Sequence, residues 1–148
     1  MISVIQRCSK AKVDVGNKAI GRIGHGMVIL LGIEKDDSKE DADYLVKKLS
    51  TLRIFNDGNK KMNLSIKDTS GSALVISQFT LCGDTRKGRR PSFTGAETPE
   101  KGKVIYDYFL SRLEQEGILI ESGQFGAMMN VSLINDGPVT FILQSQDR

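Results

Sequence analysis

Two short segments hold the residue types that could do chemistry. In Ser77-Gln78-Phe79-Thr80-Leu81, two hydroxyls and an amide follow an apolar strand pattern. Buried polar groups need hydrogen-bond partners. These groups either bond neighbouring backbone where the strand leaves its sheet, or present N–H groups and a hydroxyl to a substrate carbonyl. Thr80 as a nucleophile needs an adjacent base, and its sequence neighbours offer none. The second segment is Asn135-Asp136-Gly137-Pro138-Val139-Thr140. Asp-Gly between strand patterns is a hairpin signal, the glycine supplying positive φ. Pro138 removes a ladder donor and opens the option of a type VI turn, although taken alone the segment reads as an ordinary trans turn. A third segment, Arg90-Pro91-Ser92-Phe93 with Gly95-Ala96, adjoins the basic run Arg86-Lys87-Gly88-Arg89-Arg90. That run fits both a solvated loop and a phosphate-binding patch.

Composition removes many alternatives. The chain has 148 residues, 39% hydrophobic and 26% charged, which predicts one globular domain spanning 1–148. A single histidine, His25, rules out any mechanism needing two imidazoles from one chain. Lying in Gly24-His25-Gly26, it reads as a solvated turn residue rather than a triad base. Two cysteines, Cys8 and Cys82, make neither a disulfide framework nor a four-thiolate zinc site. No metal-binding HExxH, phosphate-binding GxxxxGK[ST] or dinucleotide-binding GxGxxG pattern is present. The longest apolar run, Met27 to Leu31, falls far short of the ~20 residues of a membrane helix. The N-terminal residues show no secretory pattern, so a cytoplasmic protein is expected. Net charge is +3, but residues 34–43 carry six acids and two bases, leaving +7 on the rest.

These segments must be positioned by a sheet and two helices. Ile2, Val4 and Ile5, then Ala11, Val13 and Val15, alternate with polar residues up to a turn at Gly16-Asn17-Lys18. Ala19–Ile23 and Met27–Ile33 read as further strands, the last fully buried, and together these pieces suggest hairpins. Ser38 is placed to cap a helix with Asp41 at its third position, and Ala42, Leu45, Val46, Leu49 and Leu52 form its buried stripe. A turn at Asn56–Asn59 precedes a strand over 73–81 and a long loop over 82–98. Thr98-Pro99 opens a second helix and Gly117 closes it. Two last strands, 127–134 and 139–144, flank Asn135–Pro138. The expected fold class is α/β: one compact domain, mainly antiparallel and barrel-like, with two helices.

In this order and spacing the segments resemble one family, the D-aminoacyl-tRNA deacylases, which clear D-amino acids from mischarged tRNA. The resemblance runs from Ile5-Gln6-Arg7 through Leu31–Asp37, Arg53-Ile54-Phe55 and Lys61–Leu64. It continues through Ser77–Leu81, Arg90–Phe93 and Tyr106–Phe109 to Asn135–Thr140. The resemblance implies a homodimer with active sites at the subunit interface and D-aminoacyl-tRNA as substrate. Gly137–Pro138 would be cis and reach from one subunit into the pocket of the other. There its backbone would exclude L-residues, whose side chains would strike it, while D-residues point outward. Glycyl-tRNA, lacking the offending group, would be a secondary substrate. Arg7 would steady the Gly-Pro loop.

By the same resemblance, Ser77, Gln78, Phe79 and Thr80 form the catalytic strand end, with the Phe79 and Thr80 amides polarising the ester carbonyl. Phe125 and Met129 would line an adenosine pocket, and Arg86, Lys87, Arg89 and Arg90 would meet tRNA phosphates. No metal or organic cofactor is called for. Either Thr80 attacks the ester, or water does with help from the 2′-hydroxyl of the terminal adenosine. The lack of a base beside Thr80 favours water. Two other classes compete: a non-catalytic RNA-binding module and a small-molecule esterase.

Overall fold

The computed structural model describes the whole chain, Met1 to Arg148. Its organising element is β1 (Ile2–Val15), a single 14-residue strand where the sequence suggested two pieces. Along one edge β1 pairs antiparallel with β8 (Asn130–Gln144). Its other edge is shared. Ile2–Cys8 pair with β3 (Gly26–Gly32), and Ala11–Val15 with β2 (Lys18–Ile23). β6 (Ser72–Ser77) then adds parallel to β3, and β7 (Leu119–Ser122) parallel to β6. A small hairpin, β4 (Phe55–Asn56) and β5 (Met62–Leu64), turns at the expected Asn56–Asn59.

The sheet is mixed, with three antiparallel pairings and two parallel ones. Parallel neighbours need long crossovers. Helix α1 (Lys39–Thr51) lies in the connection between β3 and β6, and α2 (Pro99–Gln115) in that between β6 and β7. The sheet curls until β2 nears β7: a Cβ on Gly21 would lie 3.1 Å from the Ser122 carbonyl oxygen. This makes the fold barrel-like.

Burial on both faces explains the apolar runs of the central strands. Met27, Ile29 and Leu31 of β3, with Ala73 and Val75 of β6, face Leu45, Leu49, Phe109 and Leu113 of the helices. Val28, Leu74 and Ile76 face the interior of the curl with Cys8, Ala11, Val13 and Ile23. Both helices begin where the sequence places them. The Asp41 carboxylate accepts from the Ser38 N–H and hydroxyl at 2.9 Å each, which caps α1. Thr98 and Pro99 open α2, and Gly117 follows it at φ +81°.

Two expectations are corrected. The strand expected over 73–81 stops at Ser77, and Phe79–Cys82 form a 3-10 turn. The reason lies in β3, which ends at Gly32. Gln78 N–H makes the last ladder bond, to Leu31 O at 2.8 Å, and beyond it no strand continues to pair with. The chain folds over the bare glycine instead, where a Cβ would stand 2.9 Å from Leu81 Cβ. The second correction concerns 127–134 and 139–144, which are not the arms of a hairpin. Both pair antiparallel with β1, so they are halves of β8 running in one direction. Cys8 pairs with Asn135 and Gln6 with Thr140, so Arg7 alone faces the four residues Asp136–Val139. The Gly-Pro segment is a wide bulge. β7, short and with Leu119 exposed, has no signal in the sequence pattern.

Candidate active site

The Ser77–Leu81 segment sits where β6 leaves the sheet. Ser77 closes the strand, half-buried, and Gln78 follows it. Phe79 and Thr80 open the 3-10 turn, whose leading N–H groups have no partner inside it. Neither amide donates to a turn or loop carbonyl elsewhere, whereas Leu81 and Gly83 donate to Gln78 O and Thr80 O. Thr80 is exposed, and its Oγ1 accepts a 2.6 Å bond from Gln78 Nε2. An amide donor is no base, so nothing here activates Thr80.

The turn is braced by the third sequence segment. Asp84 and Ser92 exchange backbone bonds of 2.8 and 2.9 Å, folding Phe93 back against Phe79 with ring centroids 5.0 Å apart, edge to face. Gly83 lets that happen, since a Cβ there would meet the Phe93 ring at 2.9 Å. Phe79 nevertheless stays 58% exposed.

The Gly-Pro bulge is built on a buried cation. Arg7 is 5% exposed. Its Nε donates to Asp136 O at 2.9 Å and lies 3.3 Å from the Asp136 carboxylate. Its guanidinium also donates to Ile54 O at 2.7 Å and to Asn56 Oδ1 at 3.3 Å. A planar fork reaches carbonyls on different sides at fixed angles, where an ammonium is a compact point charge. Across the bulge mouth, Asn135 Oδ1 accepts from Val139 N–H, and its Nδ2 donates to Thr140 Oγ1, both at 3.0 Å. Gln6 Nε2 donates to the same hydroxyl at 3.2 Å. Gly137–Pro138 is a cis peptide, and both residues are exposed. Gly137 has φ +137°, and a Cβ on it would lie 2.6 Å from Val139 Cγ2. Asn56 and Asn135 were visible in the sequence only as turn residues; their clamping roles need the pairing of β1 with β8.

Phe125 and Met129 lie between β7 and β8. The Phe125 ring packs at 5.6 Å on Tyr106, whose buried hydroxyl donates to Val75 O at 2.9 Å. Met129 packs over Gly123, where a Cβ would sit 2.5 Å from its sulfur. In the basic run, Arg86 forks onto Asp84 with bonds of 2.9 and 2.8 Å, which hold the Asp84 carboxyl down at about 2. Lys87, Arg89 and Arg90 are exposed and make no ion pair.

Other nucleophiles and bases are poorly placed. Burial, then the Asp136 charge, pushes the Cys8 thiol up to about 11. Burial, then Glu34 and Asp37, does the same to Cys82. His25 packs its ring against Phe55 at 5.0 Å, at the start of β3, whereas the 3-10 turn lies over its end. The two signature segments are also apart. The bulge sits at Arg7, level with Met27, and the turn at Gly32. Five residues of strand separate them, roughly 17 Å.

The chain thus carries a 3-10 turn whose first two amides donate to no loop carbonyl, and, separately, an exposed cis Gly-Pro bulge held by a buried arginine. Comparison with known proteins places the whole chain in a family. The family profile described as D-Tyr-tRNA(Tyr) deacylase matches residues 4–144. D-aminoacyl-tRNA deacylase of Thermotoga petrophila is 52% identical over 98% of this chain and 97% of its own. That of Persephonella marina is 55% identical over 99% of each. The solved structure of the c-Myc DNA Unwinding Element Binding Protein superimposes with TM-score 0.91 at 38% identity, covering 97% of this chain and 98% of that one. A structure described as a "probable eukaryotic D-amino acid tRNA deacylase" shares the fold, with TM-score 0.81 at 20% identity over 96% and 97% of the two chains. The chain belongs to the D-Tyr-tRNA(Tyr) deacylase family, a family of hydrolases.

Proposed function

We propose that the protein hydrolyses the ester joining a D-amino acid to tRNA, and glycyl-tRNA with it, while sparing L-aminoacyl-tRNA. The observation that carries the selectivity is the Gly137–Pro138 bulge, which offers only backbone and a proline ring and is held outward by buried Arg7. An L side chain directed at such a surface meets unyielding backbone; a D side chain points away, so many D-residues are accepted.

The bulge and the turn lie roughly 17 Å apart in one chain, which favours a composite site in a homodimer. β8 suits that pairing. It is a long sheet edge with Phe141 40% and Ile142 66% exposed. One subunit's bulge then faces the other's turn.

The Phe79 and Thr80 amides take up charge growing on the ester carbonyl oxygen. Water adds to that carbon and passes its proton to the adenosine 2′-oxygen, whose own proton moves to the leaving 3′-oxygen. The C–O bond to ribose breaks, and the leaving oxygen takes that proton, freeing the D-amino acid and tRNA. Ser77 and Gln78 hold the strand end, and Gln78 fixes the Thr80 hydroxyl. Phe125 and Met129 receive the terminal adenosine, and Lys87, Arg89 and Arg90, with Arg86, meet phosphates. The setting is the cytoplasm, alongside translation; no helix is long and apolar enough to cross a membrane.

The test is release of tyrosine from D-tyrosyl-tRNA and L-tyrosyl-tRNA, followed separately. Rapid loss of the D-ester alone is expected. Loss of both removes the exclusion argument, and loss of neither removes the enzyme. A second reading, a nucleic-acid-binding module, is favoured by the 38%-identical structural relative whose name describes DNA binding. It predicts tRNA binding with neither ester cleaved.

A further inference from the structure

A groove of about 430 Å³ crosses strands β2, β1 and β8 on the far side of the bulge from the 3-10 turn. Lys10, Lys12, Arg22, Ser132, Leu133 and Ile134 line it. Lys10 and Lys12 alternate on one face of β1, and Lys12 stands directly opposite Arg22 of β2. Like charges directly opposite on a sheet repel. Asp14 offsets one of the three, pairing with Lys12 at 2.9 Å. Lys10 and Arg22 take part in none of the chain's ion pairs. Arg86 of the basic loop, by contrast, is occupied by Asp84. Lys87, Arg89 and Arg90 are unpaired as well but stand on an exposed loop, whereas Lys10 and Arg22 line a groove.

Its placement suggests its occupant. Lys10 pairs with Ile134, the neighbour of Asn135, so the groove starts beside the mouth of the bulge and runs away from it. Lys10 and Lys12 are spaced about 6.6 Å along the strand, which suits successive charges on a polyanion better than one isolated anion. We propose that this groove binds the sugar–phosphate backbone of tRNA as it leaves the aminoacyl end. Cations line its walls, Ser132 supplies a neutral donor, and Leu133 and Ile134 pack under ribose. The inference rests on tRNA being the substrate.

The test compares the wild-type protein with a Lys10→Gln/Arg22→Gln variant, which leaves the Lys12–Asp14 pair intact. Three readouts are taken over a range of salt: binding of uncharged tRNA, hydrolysis of D-tyrosyl-tRNA, and hydrolysis of D-tyrosyl-adenosine, which is too short to reach the groove. With two cations taken out of the phosphate path, tRNA affinity falls about tenfold and the slope of log affinity against log salt flattens by about 1.5. KM for D-tyrosyl-tRNA rises in step with kcat unchanged, and the adenosine ester is cleaved as by wild type. Unchanged tRNA affinity and slope overturn the proposal. So does equal loss on the adenosine ester, which marks a structural role. A shift in oligomeric mass by sedimentation overturns it in favour of a contact between copies. If wild type cleaves neither ester, the deacylase reading fails, and the tRNA-binding readout still decides the groove.

Discussion

The Gly137–Pro138 bulge and the Phe79–Cys82 turn both interrupt a strand, yet they are held in opposite ways. The bulge is hung on side chains. Arg7, Asn135 and Gln6 reach across to carbonyls, an amide and a hydroxyl, and the exposed tip contributes no packing of its own. The turn is seated by shape, with Leu81 and Cys82 resting on bare Gly32 and Phe93 pressed onto Gly83 and Phe79. Polar clamps fix orientation, which the proposed rejection of one enantiomer would require. Close packing fixes position, which the proposed carbonyl-binding amides would require.

The largest effect separating the two regions is expected from Arg7→Ala. It strands the Ile54 and Asp136 carbonyls and leaves a buried hole, costing about 3 kcal/mol in denaturant unfolding. Discrimination against L-tyrosyl-tRNA should fall while the D-ester is still cleaved by the folded fraction. Arg7→Lys should recover little, because a compact ammonium lacks the fork's fixed reach to carbonyls on different sides.

Paired glycine variants sharpen the contrast. Gly137→Ala meets Val139 at 2.6 Å with φ +137°, and Gly32→Ala meets Leu81 Cβ at 2.9 Å. Each should cost about 1–3 kcal/mol by thermal or denaturant melts. Their kinetics should differ: Gly137→Ala relaxes the D-over-L ratio, and Gly32→Ala lowers kcat on the D-ester with the ratio kept. The same change in both would erase the distinction between the regions.

Smaller still is the effect expected of Thr80→Ala, which removes a hydroxyl held by Gln78 but no amide. A kcat reduction within about tenfold is expected, whereas loss of a nucleophile costs several orders of magnitude. Least of all should follow from the thiols. With pKa values raised to about 11, Cys8 and Cys82 stay protonated at neutral pH and become thiolates only above that value. Deacylation measured between about pH 6 and 9 should show no thiol inflection and should survive iodoacetamide.

What the sequence made legible divides along the same line. Helix starts at Ser38 and Thr98 and the buried stripe of α1 depend on neighbours a few residues away, so they could be read directly. So could the apolar β3. The bulge could not, because Asp-Gly flanked by strands means a hairpin unless both flanks pair with the same third strand. That third strand is β1, more than a hundred residues earlier. The end of β6 at Ser77 was hidden for a similar reason, being set by where β3 runs out. The motif residues themselves were found, since their types stand out locally; Asn56 and the clamping use of Asn135 were missed, because their partners are distant in sequence.

The pairing of β1 with β8 also bears on how fast the chain can fold. Ile2 lies opposite Gln144 and Cys8 opposite Asn135, so the two strands meet across nearly the whole chain. The entropy of closing so long a loop grows only slowly with its length, but contacts this remote slow the search for the native state. Helices and the β3–β6 layer can assemble from nearer partners. Arg7 draws one carbonyl from a nearer segment, Ile54, and the other from remote β8, Asp136. The surface that would tell mirror-image substrates apart thus rests on contacts between the two ends of the chain.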